Sequence, residues 1–218
     1  MNAVQPNSTL VRGDVRRSWQ GQSLRTLGQC EFETACAELM RAVEQDYEPT
    51  LVVGIRTGGL VVADSMARAA SAPLPILPVT CRRATTAAKS RLPLFRAALA
   101  MLPRPAVDLL RRFEHRLSAT ARAHQRRPQL IDHGEIKVIA DWLARRAAQQ
   151  RILVADDAVD SGVTLGTVLR HLRAVCPSGA EIRTAAITQT MEKPMTRPDY
   201  ALFHATLCRF PWSFDAVG

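Results

Sequence analysis

Apolar positions along the chain follow two rhythms, one of helices and one of strands. Phe32, Cys36, Leu39, Met40 and Val43 recur at helical spacing and predict an amphipathic helix over 30–45. Residues 50–53 follow Pro49 as a short buried strand that ends at Gly54, and 60–70 read as a helix. The stretch 73–80 is extended, with prolines of the kind tolerated at a sheet edge or strand start. Residues 134–139 alternate and predict a strand, 141–150 a helix. Then comes 151–155, apolar on both faces, as a second buried strand, with 156–162 as a loop. Leu165, Val168, Leu169, Leu172 and Val175 mark a helix over 163–175, and 181–189 is a further strand. Strands alternating with helices predict an α/β fold, a parallel sheet with helices on both faces.

Two further apolar stripes lie between the first and second halves of this pattern. Phe95, Leu99 and Leu102 form one, and Val107, Leu110, Phe113, Leu117 and Ala121 the other, with Pro103 and Pro105 between them. They predict a helical hairpin inserted between strands, arginines on its outer faces. The domain organisation expected is therefore a polar N-terminal arm over 1–29, one domain over 30–213 with 82–133 as a basic insertion, and a tail over 214–218.

Charge sharpens this division. The 218 residues carry 29 Lys+Arg against 20 Asp+Glu, a formal net charge of +9. Residues 82–127 alone hold twelve of those cations and only Asp108 and Glu114 against them, so the rest of the chain is nearly neutral. A cluster of this kind suits a polyanionic substrate, an anionic surface or nucleic acid. No run of 18 apolar residues predicts a membrane span. The five cysteines, odd in number and without a C-x-x-C pair, read as free thiols of a reducing compartment. With no basic-then-apolar signal pattern at the N-terminus, a cytoplasmic protein is expected.

Two loops carry the chemistry. In the string Val154-Ala155-Asp156-Asp157-Ala158-Val159-Asp160-Ser161-Gly162-Val163-Thr164, a buried strand delivers two adjacent carboxylates at its carboxyl end. Ligands bind there in open α/β sheets. A third acid then precedes Ser-Gly-x-Thr, which opens a helix and so offers backbone amides and hydroxyls to a phosphate. Three carboxylates crowded at one turn repel and call for a counter-ion. A ligand with both a phosphate and a polyol fits acids and cradle together. The other loop, Gly54-Ile55-Arg56-Thr57-Gly58-Gly59, joins a strand to a helix; its glycines let backbone approach a ligand closely, and Arg56 supplies a fixed positive charge.

The first string resembles the phosphoribosyl-diphosphate (PRPP) signature of type I phosphoribosyltransferases, and the loop 54–59 resembles the diphosphate-binding loop of that family, in the family's order. The resemblance implies that Asp156 and Asp157 hold the ribose hydroxyls and Mg²⁺. It also implies that Ser161, Gly162, Val163 and Thr164 hold the 5-phosphate, and that Arg56, Thr57, Gly58 and Gly59 hold the diphosphate. Asp160 then stands beside the incoming base, where it accepts a proton. Lys193-Pro194 and Phe210-Pro211-Trp212 resemble the C-terminal region of the 6-oxopurine branch, which implies Lys193 as reader of the purine 6-oxo group. Where that branch stacks an aromatic on the base, this chain has Leu207; Phe210 and Trp212 then serve either the core or a dimer contact. Residues 134–139 resemble the strand after the family's active-site loop, which sets the basic insertion in that loop's place.

The implied activity is Mg²⁺-dependent transfer of a phosphoribosyl group from PRPP to a nitrogenous base, a purine by the tail, in a homodimer or higher homo-oligomer. The alternative is a regulator of the same fold, whose basic insertion binds nucleic acid and whose pocket senses PRPP or nucleotide. A third reading makes the insertion a lid whose arginines gather over the PRPP phosphates, or over a negatively charged acceptor.

Overall fold

The computed structural model describes residues 23–83, 129–146 and 149–213. The expected helical hairpin, most of the N-terminal arm and the tail 214–218 lie outside the described residues.

The described elements run β1 (Ser23–Thr26), α1 (Gln29–Glu44), β2 (Leu51–Ile55), α2 (Gly58–Ala69), β3 (Ile76–Val79), β4 (Cys81–Arg83), β5 (Gln129–Ile131), α3 (His133–Ala144), β6 (Arg151–Val159), α4 (Val163–Val175), β7 (Glu181–Gln189), β8 (Tyr200–His204) and β9 (Thr206–Arg209). Five strands form the central sheet in the order β3-β2-β6-β7-β8, every neighbouring pair parallel. The proline-bearing β3 takes the edge, where a missing backbone N–H costs no ladder bond.

Alternation along the inner strands feeds two cores. Val52, Leu153, Ala155, Ala185 and Ile187 pack with Phe32, Leu39 and Met40 of α1 and Val62 and Met66 of α2. Leu51, Val53, Ile55, Ile152, Val154 and Ala186 pack on the other face with Ile136, Ile139 and Leu143 of α3 and Leu165, Val168 and Leu172 of α4. Both faces are covered, so β2 and residues 152–155 of β6 read as continuous apolar runs. Each fully buried large side chain contributes about 1.5–3 kcal/mol through removal from water. At the amino ends of the strands, the Tyr47 hydroxyl donates to the carbonyls of Ile152 and Glu181 and ties β6 to β7.

Four sequence expectations change. The helix expected over 141–150 ends at Ala144, because 141–144 are the last residues of α3. Residues 134–139 are helical: Asp132 caps α3 by accepting from the Gly134 and Glu135 amides, and Ile136, Ile139 and Leu143 are the buried positions while Val138 is exposed. The six-residue window fits both periods, and the cap with the i, i+3, i+7 stripe decides it. The loop expected at 156 begins only after Val159, because β7 continues to pair through Asp156↔Ala186, Ala158↔Thr188 and Val159↔Gln189. The end of the polar arm is also structured. Ser23–Thr26 pairs in parallel with Thr206–Arg209 as a separate two-stranded sheet, and Leu27 is buried.

Phe210 belongs to the core, stacked on Trp212 at 4.9 Å between ring centroids, and both meet Phe32 edge-on. The two ends of the basic insertion are joined as an antiparallel pair, Cys81↔Ile131 to Arg83↔Gln129. No helix among the described residues is long and apolar enough to cross a membrane.

Candidate active site

The sheet order places the direction change of the winding between β2 and β6: from β2 the chain steps outward to β3, and from β6 it steps the other way to β7 and β8. The crevice at the carboxyl ends of such a pair is where open α/β sheets bind ligands. Both loops singled out in the sequence open there, and they touch. A β-carbon on Gly58 would stand 2.0 Å from Oδ2 of Asp157, and one on Gly59 would stand 2.6 Å from the Ala155 carbonyl oxygen and 2.8 Å from the Asp156 Cα. Only glycine lets the first turn of α2 lie this close to the acid pair. The Arg56–Thr57 peptide that leads into this turn is cis.

The acid pair is held by its own backbone. The Asp157 amide donates to Asp156 Oδ1 at 3.0 Å, and the Ala158 amide donates to Asp157 Oδ1 at 2.9 Å. Asp156 is 8% exposed. Burial pushes its carboxyl well above the usual carboxylate range, and the neighbouring Asp157 and Asp160 push the same way. Burial also raises Asp157, against the opposing pull of its hydrogen bonds. Two desolvated like charges side by side are poorly supported without a cation. Asp160 lies farther along and accepts from the Thr190 hydroxyl at the end of β7, 2.5 Å away.

Asp156, Asp160, Ser161, Gly162, Val163 and Thr164 line one cleft of about 280 Å³, counted to its open mouth. Helix α4 starts there without a side-chain cap or an acidic residue in its first turn, so its leading amides face the cleft uncompensated. Gly162 holds φ = 72°, and a β-carbon on it would strike Thr196 backbone at 2.2 Å. The loop 190–199 is thus pressed against the cradle, and the Met195 amide donates to the Ser161 carbonyl at 2.8 Å. Lys193 is exposed on this same loop, whose start is fixed by Gln189 Nε2 donating to the Met191 carbonyl at 2.7 Å. Leu207 is half-buried on β9 opposite Leu24.

Arg56 follows directly after the carboxyl end of β2. Its Nε donates to Glu135 Oε1 at 3.0 Å, and Glu135 Oε2 accepts from the Thr80 amide. The structure therefore gathers Asp156, Asp157, Asp160, Ser161, Gly162, Val163, Thr164, Gly58 and Gly59 about one crevice, with Thr57 at the start of α2; Arg56, Lys193 and Leu207 stand on other segments, after β2, in the loop 190–199 and on β9. Thr190, Thr196 and Glu135 escape a sequence reading, because their partners lie 30 or more residues away. Among the described residues no group of three or more His, Cys, Asp or Glu is arranged to hold a metal.

A family model described as "Phosphoribosyl transferase domain" matches residues 103–217, more than half of the chain. No curated protein matches the sequence. Solved structures share the fold. A purine phosphoribosyltransferase from Pyrococcus horikoshii is 16% identical, with a TM-score of 0.55 over 87% of this chain and 94% of that one. The xanthine-guanine-hypoxanthine phosphoribosyltransferase of Helicobacter pylori is 19% identical, with a TM-score of 0.57 over 88% and 95%. A protein from Neisseria gonorrhoeae with bound ppGpp is 12% identical, with a TM-score of 0.57 over 89% and 92%.

Proposed function

The chain belongs to the phosphoribosyl transferase domain family, a family of enzymes, and on that premise we propose that it transfers the phosphoribosyl group of PRPP to a purine base in a Mg²⁺-dependent reaction. The observation that carries this reading is the junction of the two loops. A diphosphate-type loop is packed against an acid pair, its first member buried, and the same segment runs on to an uncapped helix start.

In this reading the amides and hydroxyls of Ser161, Gly162, Val163 and Thr164 bind the 5-phosphate. Asp156 and Asp157 accept from the ribose hydroxyls. The same two carboxylates suit Mg²⁺: they are hard oxygen donors, partly desolvated, mutually repelling and only two in number, and Mg²⁺ commonly takes one or two carboxylates with waters and substrate phosphates. When bound, the ion neutralises negative charge on the diphosphate. Arg56 and the backbone of Thr57, Gly58 and Gly59 hold that diphosphate as the C1–O bond breaks and the bond from C1 to a base nitrogen forms. The sugar passes through an oxocarbenium-like state, so the chain contributes mainly position and fixed charge. Asp160 takes the proton of the attacking base. Lys193 donates to the 6-oxo group, and Leu207 packs on the ring. The purine choice rests on the tail segments around Lys193 and Phe210-Pro211-Trp212.

The test is diphosphate release from PRPP and Mg²⁺ with purines, pyrimidines and carboxylated rings offered in turn. Release with a 6-oxopurine is expected. Release with none of them, together with retained binding of PRPP or nucleotide, favours the regulator reading, for which the local charge of residues 82–127 is the supporting observation.

A further inference from the structure

We infer that Glu135 is a positioning residue for the reaction, one that aims Arg56 at the leaving diphosphate; the inference rests on the phosphoribosyl-transfer reading above. Three observations carry it. Both oxygens of Glu135 are engaged at the carboxyl ends of two adjacent strands, Oε1 by Arg56 Nε just after β2 and Oε2 by the Thr80 amide just after β3. The backbone under this carboxylate is fixed on both sides, since the Asp132 amide donates to the Thr80 carbonyl at 2.9 Å, Asp132 caps α3, and Ile136 and Ile139 are buried. Arg56 itself is anchored by its amide, which donates to the Val79 carbonyl at 2.9 Å, yet its side chain stays 42% exposed.

Holding a guanidinium by Nε leaves its two terminal nitrogens, with four of its five N–H donors, for another acceptor. Among the described residues no hydrogen bond engages those nitrogens. An arginine held in this way presents a pre-aimed fork to a phosphate, whereas an unheld one must lose its rotamer freedom on binding. Glu135 also opens α3, the first helix after the returning strand β5, so the aim of Arg56 is tied to the root of the basic insertion.

The experiment compares Arg56→Ala, Glu135→Ala, Glu135→Gln and the Arg56→Ala/Glu135→Ala double variant in the full-length protein. It reads inhibition by diphosphate, KM for PRPP, KM for the purine and kcat. Glu135→Ala is expected to weaken diphosphate inhibition about tenfold, and the double variant to be no weaker than Arg56→Ala alone, because the two residues act through one contact. Glu135→Gln keeps one acceptor oxygen and falls between, and purine KM is unchanged in all four. If Glu135→Ala fails to fold, Glu135→Gln carries the comparison, and normal diphosphate inhibition in it overturns the inference. Effects that multiply in the double variant, or tighter diphosphate binding on loss of Glu135, also overturn it, while the phosphoribosyl-transfer reading survives. An unsubstituted protein that binds neither PRPP nor diphosphate overturns both.

Discussion

Gly58 and Asp157 approach so closely that a single methyl group cannot be placed between them: a β-carbon at 58 would sit 2.0 Å from one carboxylate oxygen. They are nearly a hundred residues apart in the chain, yet this contact sets the distance between the loop after β2 and the acids of β6. Gly58→Ala should push the two apart. Misplacement on the order of 1 Å can cost about 100-fold in rate, and overpacking about 1–3 kcal/mol in stability. Steady-state kinetics beside a thermal melt check both, and unaltered kcat/KM for PRPP would show that the spacing is not used.

Asp160 accepts from Thr190 and lines the cleft with Ser161–Thr164. Asp160→Asn should lower kcat by about 10²–10⁴ as a lost general base, with KM for PRPP little changed. Unchanged turnover would remove Asp160 from the mechanism.

Asp156 has its pKa raised by burial and by its acidic neighbours. A carboxyl raised on folding favours the folded state below its unfolded pKa, and that contribution is lost as pH rises through the folded value. The metal-free protein should therefore lose stability as pH climbs above the ordinary carboxylate range, about 4. Asp156→Asn removes the penalty, so its Tm should exceed that of the unsubstituted protein by a margin that widens toward neutral pH. Added Mg²⁺ and PRPP should raise Tm only where Asp156 is intact. A margin that narrows with pH would contradict the assignment.

Leu207 occupies the position implied for base packing, half-buried on β9. Leu207→Trp supplies a ring to stack, worth about 0.5–1.5 kcal/mol beyond area. The purine KM should fall by a few-fold to about tenfold, with PRPP KM unmoved. An unchanged or higher purine KM would place the base elsewhere.

Tyr47 offers a control at the opposite end of the sheet. Tyr47→Phe leaves the carbonyls of Ile152 and Glu181 without their donor. Destabilisation of about 1–3 kcal/mol is expected, read by urea unfolding, while kcat and both KM values stay at their original levels.

Much of the architecture is legible from local pattern. Residues 51–55 and 152–155 are apolar runs of strand length because both faces of the inner sheet are covered, while 181–189 mixes apolar residues with buried Thr184, Thr188 and Gln189. The stripes of α1 and α4 follow from one buried face each, so burial writes these elements into consecutive residues. The string from Asp156 to Thr164 is legible for a similar reason: acids, turn and cradle are contiguous, and one strand-to-helix junction presents them all.

Where a residue's partner is far along the chain, the sequence is silent. Alternation in 134–139 suits a strand as well as a helix until Asp132 caps one and buries Ile136, Ile139 and Leu143 together. Ser23–Thr26 is polar and strand-like only because Thr206–Arg209 lies beside it. By itself the sequence determined the α/β alternation, the location of the charge and the acids of the candidate site. Only the tertiary structure decided that Gly58 touches Asp157, that Thr196 closes on Gly162 and that Glu135 holds Arg56. The physical reason is reach. Hydrophobic period and turn chemistry act over a few residues, whereas these contacts exist only after the sheet has brought the carboxyl ends of β2, β3, β6 and β7 together.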